Sequence, residues 1–170
     1  MKNYFIIIRG PAGVGKTTTG NILAKNLKGY YVPFSKIITK NNLGYKRGKW
    51  IPEKNFLKAN KIIIPIISKK LSKGKNVVLE SNFYHKSQIK DLIKKVNYPN
   101  TLVFTLKANL KELISRDKRR EEKKRIGEKR VRDVYNLVKI FDYGKVINTN
   151  NKNKGEVVKE IISLLRNKNL

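Results

Sequence analysis

No cysteine occurs in these 170 residues, so neither a disulfide nor a thiolate metal site is open to the chain. Tryptophan, methionine and histidine appear once each. No apolar run approaches a membrane span: "IIIPII" at 62–67 is far short of the roughly 20 residues needed. The N-terminal "MKNYFIIIRG" has too short an apolar stretch for a secretion signal and no small-residue cleavage site. These absences predict a soluble cytoplasmic protein with no membrane attachment; a monomer or weak dimer is expected. The length suits one domain, 1–170, able to bury a core of its own.

Acids are scarce. Twelve Asp plus Glu face 40 Lys plus Arg, a formal net charge of +28. Lys-, Ile- and Asn-rich composition is what an AT-rich genome produces, but that bias adds lysine without removing acids. The imbalance is also uneven: residues 1–79 hold 17 basic side chains and one acid, Glu53. A field of that sign attracts polyanions, so RNA or DNA is a candidate partner, with compositional bias as the competing reading.

What is present alternates between strand and helix patterns. "YFIIIR" (4–9), "NVVLE" (76–80) and "TLVFTL" (101–106) are the continuous apolar runs of strands buried on both faces. "YYVPF" (30–34) reads as a short strand at a sheet edge because of Pro33, and "KVINT" (145–149) as a last strand. Helical spacing follows Gly15, and Pro52 opens a long helix to about Ser72, with a kink expected at Pro65. Helices are also read from about Ser87 to Val96, after Asn109 (with Glu112 in a capping box), through Val131–Val138 and through Val157–Leu165. The alternation predicts an α/β fold, a parallel sheet with helices on both faces, whose ligands bind beyond the carboxyl ends of the strands.

Gly10-Pro11-Ala12-Gly13-Val14-Gly15-Lys16-Thr17 matches G-x-x-x-x-G-K-[ST] without a mismatch, between a buried strand and a helix. The glycines let backbone N–H groups surround phosphates at the positive end of a helix. Lys16 is placed to reach the β- and γ-phosphates, and the Thr17 hydroxyl to ligand Mg²⁺. Gly10, Ala12, Gly13, Val14, Gly15, Lys16, Thr17 and Thr18 are thus the expected contacts for ATP. A Gly-rich turn that binds nothing is the bland alternative.

On this motif in this context, the chain resembles the small P-loop kinases: adenylate, shikimate, gluconate and polynucleotide kinases. The resemblance implies a five-stranded parallel sheet of order 2-3-1-4-5, an acceptor-binding segment between strands 2 and 3, and an Arg-bearing lid after strand 4. Residues 35–75 and 116–132 have suitable lengths. Guanine-recognition sequences of the N-K-x-D type are absent, and the length leaves no obvious helicase or AAA-type partner domain. In the lid, "RDKRREEKKRIGEKRVR", the resemblance makes Arg116 and Arg120 candidates to neutralise the transferring phosphoryl, and Arg116 and Arg119 candidates to contact the nucleotide. Within the same stretch Glu121 and Glu122 with Lys123, Lys124 and Arg125 also suit a solvated, ion-paired helix.

Many relatives carry an Asp just after strand 2, but here "VPFSKIITK" has Ser35 there. Before residue 91 the only acids are Glu53 and Glu80. Glu80 ends an apolar strand beside the phosphate loop, which makes it the candidate general base or Mg²⁺ ligand. Against this stands a Glu that merely ends a strand or pairs with a lysine. His85, in "ESNFYHKS", can face the same cleft, although a lone His among aromatics more often packs a loop. Ser81 and Asn82 are weaker candidates to contact the acceptor. Residues 35–75 hold twelve basic groups, with Tyr45, Trp50 and Phe56 among or beside them. That mixture suits a nucleic-acid backbone with stacked bases, or equally a helix anchored by Trp50 and Phe56 with a wet lysine face. The expected activity is an ATP- and Mg²⁺-dependent kinase acting on a hydroxyl acceptor, either a nucleic acid or nucleotide, or a small metabolite. An ATPase or switch that binds nucleic acid is the alternative from a different class.

Overall fold

A computed structural model describes residues 3–44 and 50–167. Among them β1 (Phe5–Arg9), β2 (Tyr30–Val32), β3 (Val77–Ser81), β4 (Thr101–Lys107) and β5 (Lys145–Asn148) form one sheet in the order β2-β3-β1-β4-β5. Every pairing is parallel, with Ile8 level with Glu80 on one side of β1 and with Phe104 on the other. The five residues of β1 are all buried. A parallel sheet has helices on both faces, which is why its strands are continuously apolar rather than alternating with polar residues.

Successive residues still point to opposite faces. Ile6, Ile8, Val78, Phe104 and Leu106 meet α1 (Lys16–Asn26), α5 (Leu110–Lys118), α6 (Glu128–Val138) and α7 (Lys154–Asn167). Phe5, Ile7, Val77, Leu79 and Val103 meet α2 (Phe34–Lys40), α3 (Glu53–Ser72) and α4 (Lys86–Val96). The outcome is the layered 2-3-1-4-5 sheet that the alternation and the resemblance implied.

Two local details differ from the sequence reading. β2 stops at Val32, and Pro33 caps α2 instead of ending the strand run. Phe34 therefore turns inward, 6.4 Å from the Phe56 ring and 6.0 Å from that of Phe83. α3 runs to Ser72 as expected, with Pro65 inside it on the exposed side. The capping box on α5 is half formed. Asn109 accepts from the Glu112 amide at 2.8 Å, but the Glu112 carboxylate bonds Arg116 instead of reaching back, and the Asn109 amide donates to Asn150.

Gly144 lets the chain turn into β5. Its φ is +70°, and a Cβ there would lie 2.0 Å from the Val103 carbonyl oxygen. Left-handed strain alone costs an L-residue about 1–2 kcal/mol, and here the clash is with rigid backbone. Gly144→Ala is expected to lower stability by more than about 2 kcal/mol, read from urea unfolding. A loss below about 0.5 kcal/mol would show that the loop absorbs the methyl group.

Candidate active site

The carboxyl ends of β1 and β3 bring the sequence candidates together. After β1 the chain turns through Gly10, Gly13 and Gly15, all at positive φ, and enters α1 with no capping side chain and no acid in its first turn. The first amides of a helix lack intrahelical partners, so this end suits an anion. The Lys16 side chain is buried and its Nζ donates to the Pro11 carbonyl at 2.8 Å. Burial pushes the Lys16 ammonium down to about 8; Glu80 opposes the shift, while Arg120 and Arg9 add to it. An ammonium so poorly solvated gains much from a phosphate.

Glu80, the fourth residue of β3, is 5 % exposed. One of its oxygens accepts from the Thr17 hydroxyl at 3.2 Å and from the Tyr31 phenol at 2.9 Å. Tyr31 comes from β2, next to β3 in the sheet. Burial, the Glu80 charge and this hydrogen bond raise the phenol's pKa, so Tyr31 stays a donor. Sequence reasoning missed Tyr31; the only available signal was a hydroxylated aromatic on a strand expected beside β3. A cleft of about 410 Å³ opens here, lined by Lys16, Thr17, Ser35, Glu80, Asn82 and Arg120, with Arg130 and Val134 of α6 on a further wall. Ala12, Gly13, Gly15, Thr18 and Ser81 also border it. Val14, by contrast, is buried in the core.

The three candidate arginines of the lid, Arg116, Arg119 and Arg120, do not form one cluster. Arg116 donates to Glu112 at 2.7 Å and to the hydroxyl and carbonyl of Thr149 at 3.0 and 2.6 Å. Arg119 reaches the same Glu112 oxygen at 3.4 Å from a largely exposed position. Both line a second hollow of about 460 Å³, with Thr18, Thr149 and Lys152. Of these three, Arg120 alone joins Lys16 and Glu80 in the first cleft, held by Asp117 at 3.2 Å. Beyond it, Glu121 pairs with Lys123 and Lys124 on the exposed side of a 3-10 turn, Glu122–Lys124.

α6 is held at both ends. Asp117 accepts from the amides of Ile126 and Gly127 at its start. At its finish, fully buried Arg9 donates to the carbonyls of Val138 and Phe141 at 3.0 and 2.6 Å and stacks 4.1 Å over the Phe141 ring. An anion at a helix N-terminus and a cation at its C-terminus both suit the helix dipole. Burial lowers the Arg9 pKa to about 10, against the raising effect of Asp142. A charge closing the apolar run "FIIIR" was the overlooked sequence signal for Arg9.

On the acceptor side, Trp50 lies edge-on to Tyr84 at 5.9 Å, and the Arg130 guanidinium sits 4.0 Å over its ring. His85 shares a hydrogen bond of 3.2 Å with the Ile51 carbonyl and packs against Phe56 and Tyr84. Its contacts are those of a loop anchor. Burial pushes the Tyr84 phenol up to about 12, and it both accepts from the Ile51 amide and donates to the Ile51 carbonyl. Tyr45, Lys46, Arg47 and Lys49 lie outside the described residues.

With a phosphate loop at the end of β1, a carboxylate at the end of β3 and a 2-3-1-4-5 sheet, this is a small P-loop kinase-like fold. Residues 6–136 match the family model described as AAA domain, and the chain belongs to that family. A Pyrococcus furiosus protein named "Putative adenylate kinase" is 31 % identical over 166 residues, covering 94 % of this chain and 83 % of that protein. The fold also matches a sugar kinase from Janibacter sp. HTCC2649 (TM-score 0.80, 11 % identity, 97 % of this chain and 95 % of that one). Shikimate kinase from Acinetobacter baumannii matches with TM-score 0.66 and 20 % identity, over 99 % of this chain and 96 % of that one. Among the described residues no helix is long and apolar enough to cross a membrane.

Proposed function

We propose that the chain is a Mg²⁺-dependent phosphotransferase that moves the γ-phosphoryl group of ATP to a hydroxyl acceptor. The observation that carries this reading is the convergence of Lys16, Thr17, Glu80 and Arg120 on one cleft, with Glu80 bonded to Thr17 at 3.2 Å. Kinase-type relatives support it.

Lys16 lies at the β- and γ-phosphates, and Glu80 accepts the acceptor's proton. The acceptor oxygen then bonds to the γ-phosphorus as the bond to the β–γ bridging oxygen breaks, leaving ADP. Arg120 balances the negative charge on the group in flight. Arg116 and Arg119 flank the nucleotide from the second hollow, so Arg116 serves binding more than transfer. Residues 35–75 hold the acceptor, and 116–132 cover the phosphates.

Thr17 and Glu80 offer hard oxygen donors, the chemistry that suits Mg²⁺. Among the described residues no three His, Cys, Asp or Glu gather into a metal cage, so phosphate oxygens and water would complete its shell. When bound, Mg²⁺ neutralises phosphate charge.

The deciding experiment supplies γ-labelled ATP with pools of RNA, DNA, nucleosides and small hydroxylated metabolites. Label in one acceptor, well above its release to water, is the expected result. Release to water alone at an unchanged rate would make the protein an ATPase or switch. A nucleic-acid acceptor is favoured by one further observation: Lys54, Lys58, Lys61 and Lys69 are exposed along α3, and Lys73 is exposed at its C-cap. If that face meets RNA or DNA, reversing Lys54, Lys58 and Lys61 to Glu should lower the log–log salt slope by about 0.7–0.9 for each lost phosphate contact. Trp50→Ala should reduce affinity with little change in slope. No binding at low salt in a filter assay would leave a small metabolite as the acceptor.

A further inference from the structure

Asp117 stands apart from the other acids of 116–132. Glu121, Glu122 and Glu128 are exposed, whereas Asp117 is 3 % exposed. Glu121 and Glu128 also pair with exposed basic groups, where such pairs contribute little. A buried carboxylate is costly unless its oxygens are filled. Those of Asp117 take the amide of Ile126 at 3.4 and 3.2 Å, that of Gly127 at 3.0 Å and Arg120 Nη1 at 3.2 Å. The Arg120 carbonyl in turn accepts from Arg125 Nε at 2.9 Å. One acid thus ties down both ends of the 120–127 loop and the arginine that borders the Lys16 cleft.

We propose that Asp117 is a positioning residue for phosphoryl transfer, its buried carboxylate holding the Arg120 guanidinium at the cleft while it fixes the loop above. The proposal rests on the phosphotransferase reading. Holding the Ile126 and Gly127 amides needs only an acceptor oxygen at this reach, which Asn supplies as well as Asp. Beyond a modest interaction with the dipole of α6, the negative charge serves Arg120. Anchoring one Nη group reduces the rotamer freedom a long side chain loses when it meets the moving charge.

Asp117→Asn keeps an acceptor oxygen for the Ile126 and Gly127 amides, whereas the shorter Asp117→Ser gives up that anchor; both remove the charge, so the pair separates loss of loop anchoring from loss of the contact with Arg120. Each is compared with wild type, Arg120→Ala and the Asp117→Asn/Arg120→Ala double variant. The readouts are ATP turnover, melting temperature and affinity for ADP with aluminium fluoride, a mimic of the group in flight. Asp117→Asn should lower kcat about tenfold, leave the KM for ATP within about twofold, and weaken the mimic more than ADP alone. In the Arg120→Ala background the same substitution should cost almost nothing. Additive losses, wild-type kcat and mimic affinity in both Asp117 variants, or losses that follow melting temperature alone would overturn the proposal. If wild type binds neither ADP nor the mimic, the phosphotransferase reading itself falls, and this proposal with it.

Discussion

Lys16→Ala is expected to weaken Mg·ATP binding by about 10- to 100-fold, the range for a charged hydrogen bond, and to lower turnover by about 10²–10³. The fold should survive. Lys16 holds one hydrogen bond, to its own loop at Pro11, and its charge is unfavourable where it lies until phosphate arrives. The pH dependence gives a second signature. The Lys16 pKa falls from 10.5 to about 8 in the folded chain, so between those values the unfolded chain holds more protons at this site. This residue's contribution to stability therefore rises with pH from about 8 towards 10.5, and below 8 its full penalty is present. Bound phosphate favours the ammonium, so ATP binding near pH 8.5 should take up protons. Calorimetry in two buffers of different ionisation enthalpy measures that uptake, which Lys16→Ala should abolish. Equal ATP affinity in both proteins would remove Lys16 from the site.

Glu80→Gln should lower turnover by at least about 10², as expected for a positioned general base, while ATP still binds. The substitution is close to isosteric, and the glutamine oxygen can still accept from Thr17 and Tyr31, which bond the carboxylate at 3.2 and 2.9 Å. What disappears is the capacity to take a proton and the negative charge that supports the Lys16 ammonium. Lys16 in this variant should lose its proton at lower pH still, which the same calorimetric comparison reads. Full activity would move the base elsewhere; His85, anchored at Ile51, is a poor successor, and Ser81 and Asn82 carry no titrating group.

Glu80 was legible because acids are so rare in the first half of the chain that elimination left two. The phosphate loop was legible because its spacing is a property of consecutive residues. The departure at Ser35 was also visible, but its consequence was not: Ser35 does line the cleft, and the support that β2 gives to the site comes from Tyr31 four residues earlier. Helical spacing alone would place the arginines of "RDKRR" near each other. α5 ends at Lys118, however, and Arg119 caps it, so Arg120 leaves the helical path and turns to the other cleft.

By itself the sequence determined the order of strands and helices, the phosphate loop and the charge, since apolar periodicity, glycine spacing and side-chain ionisation act over a few neighbouring residues. Only the tertiary structure decided which distant groups complete the site. Tyr31 and Glu80 are partners because β2 and β3 are neighbours in the sheet. Arg9 closes the end of α6 across 129 positions of chain. Asp117 meets Ile126 and Gly127 because the lid folds back on α5. The side chains of Tyr31, Glu80, Arg9 and Asp117 are buried or half-buried, and removal from water makes such a pairing necessary without naming the partner; the packing of the sheet and its helices makes that choice.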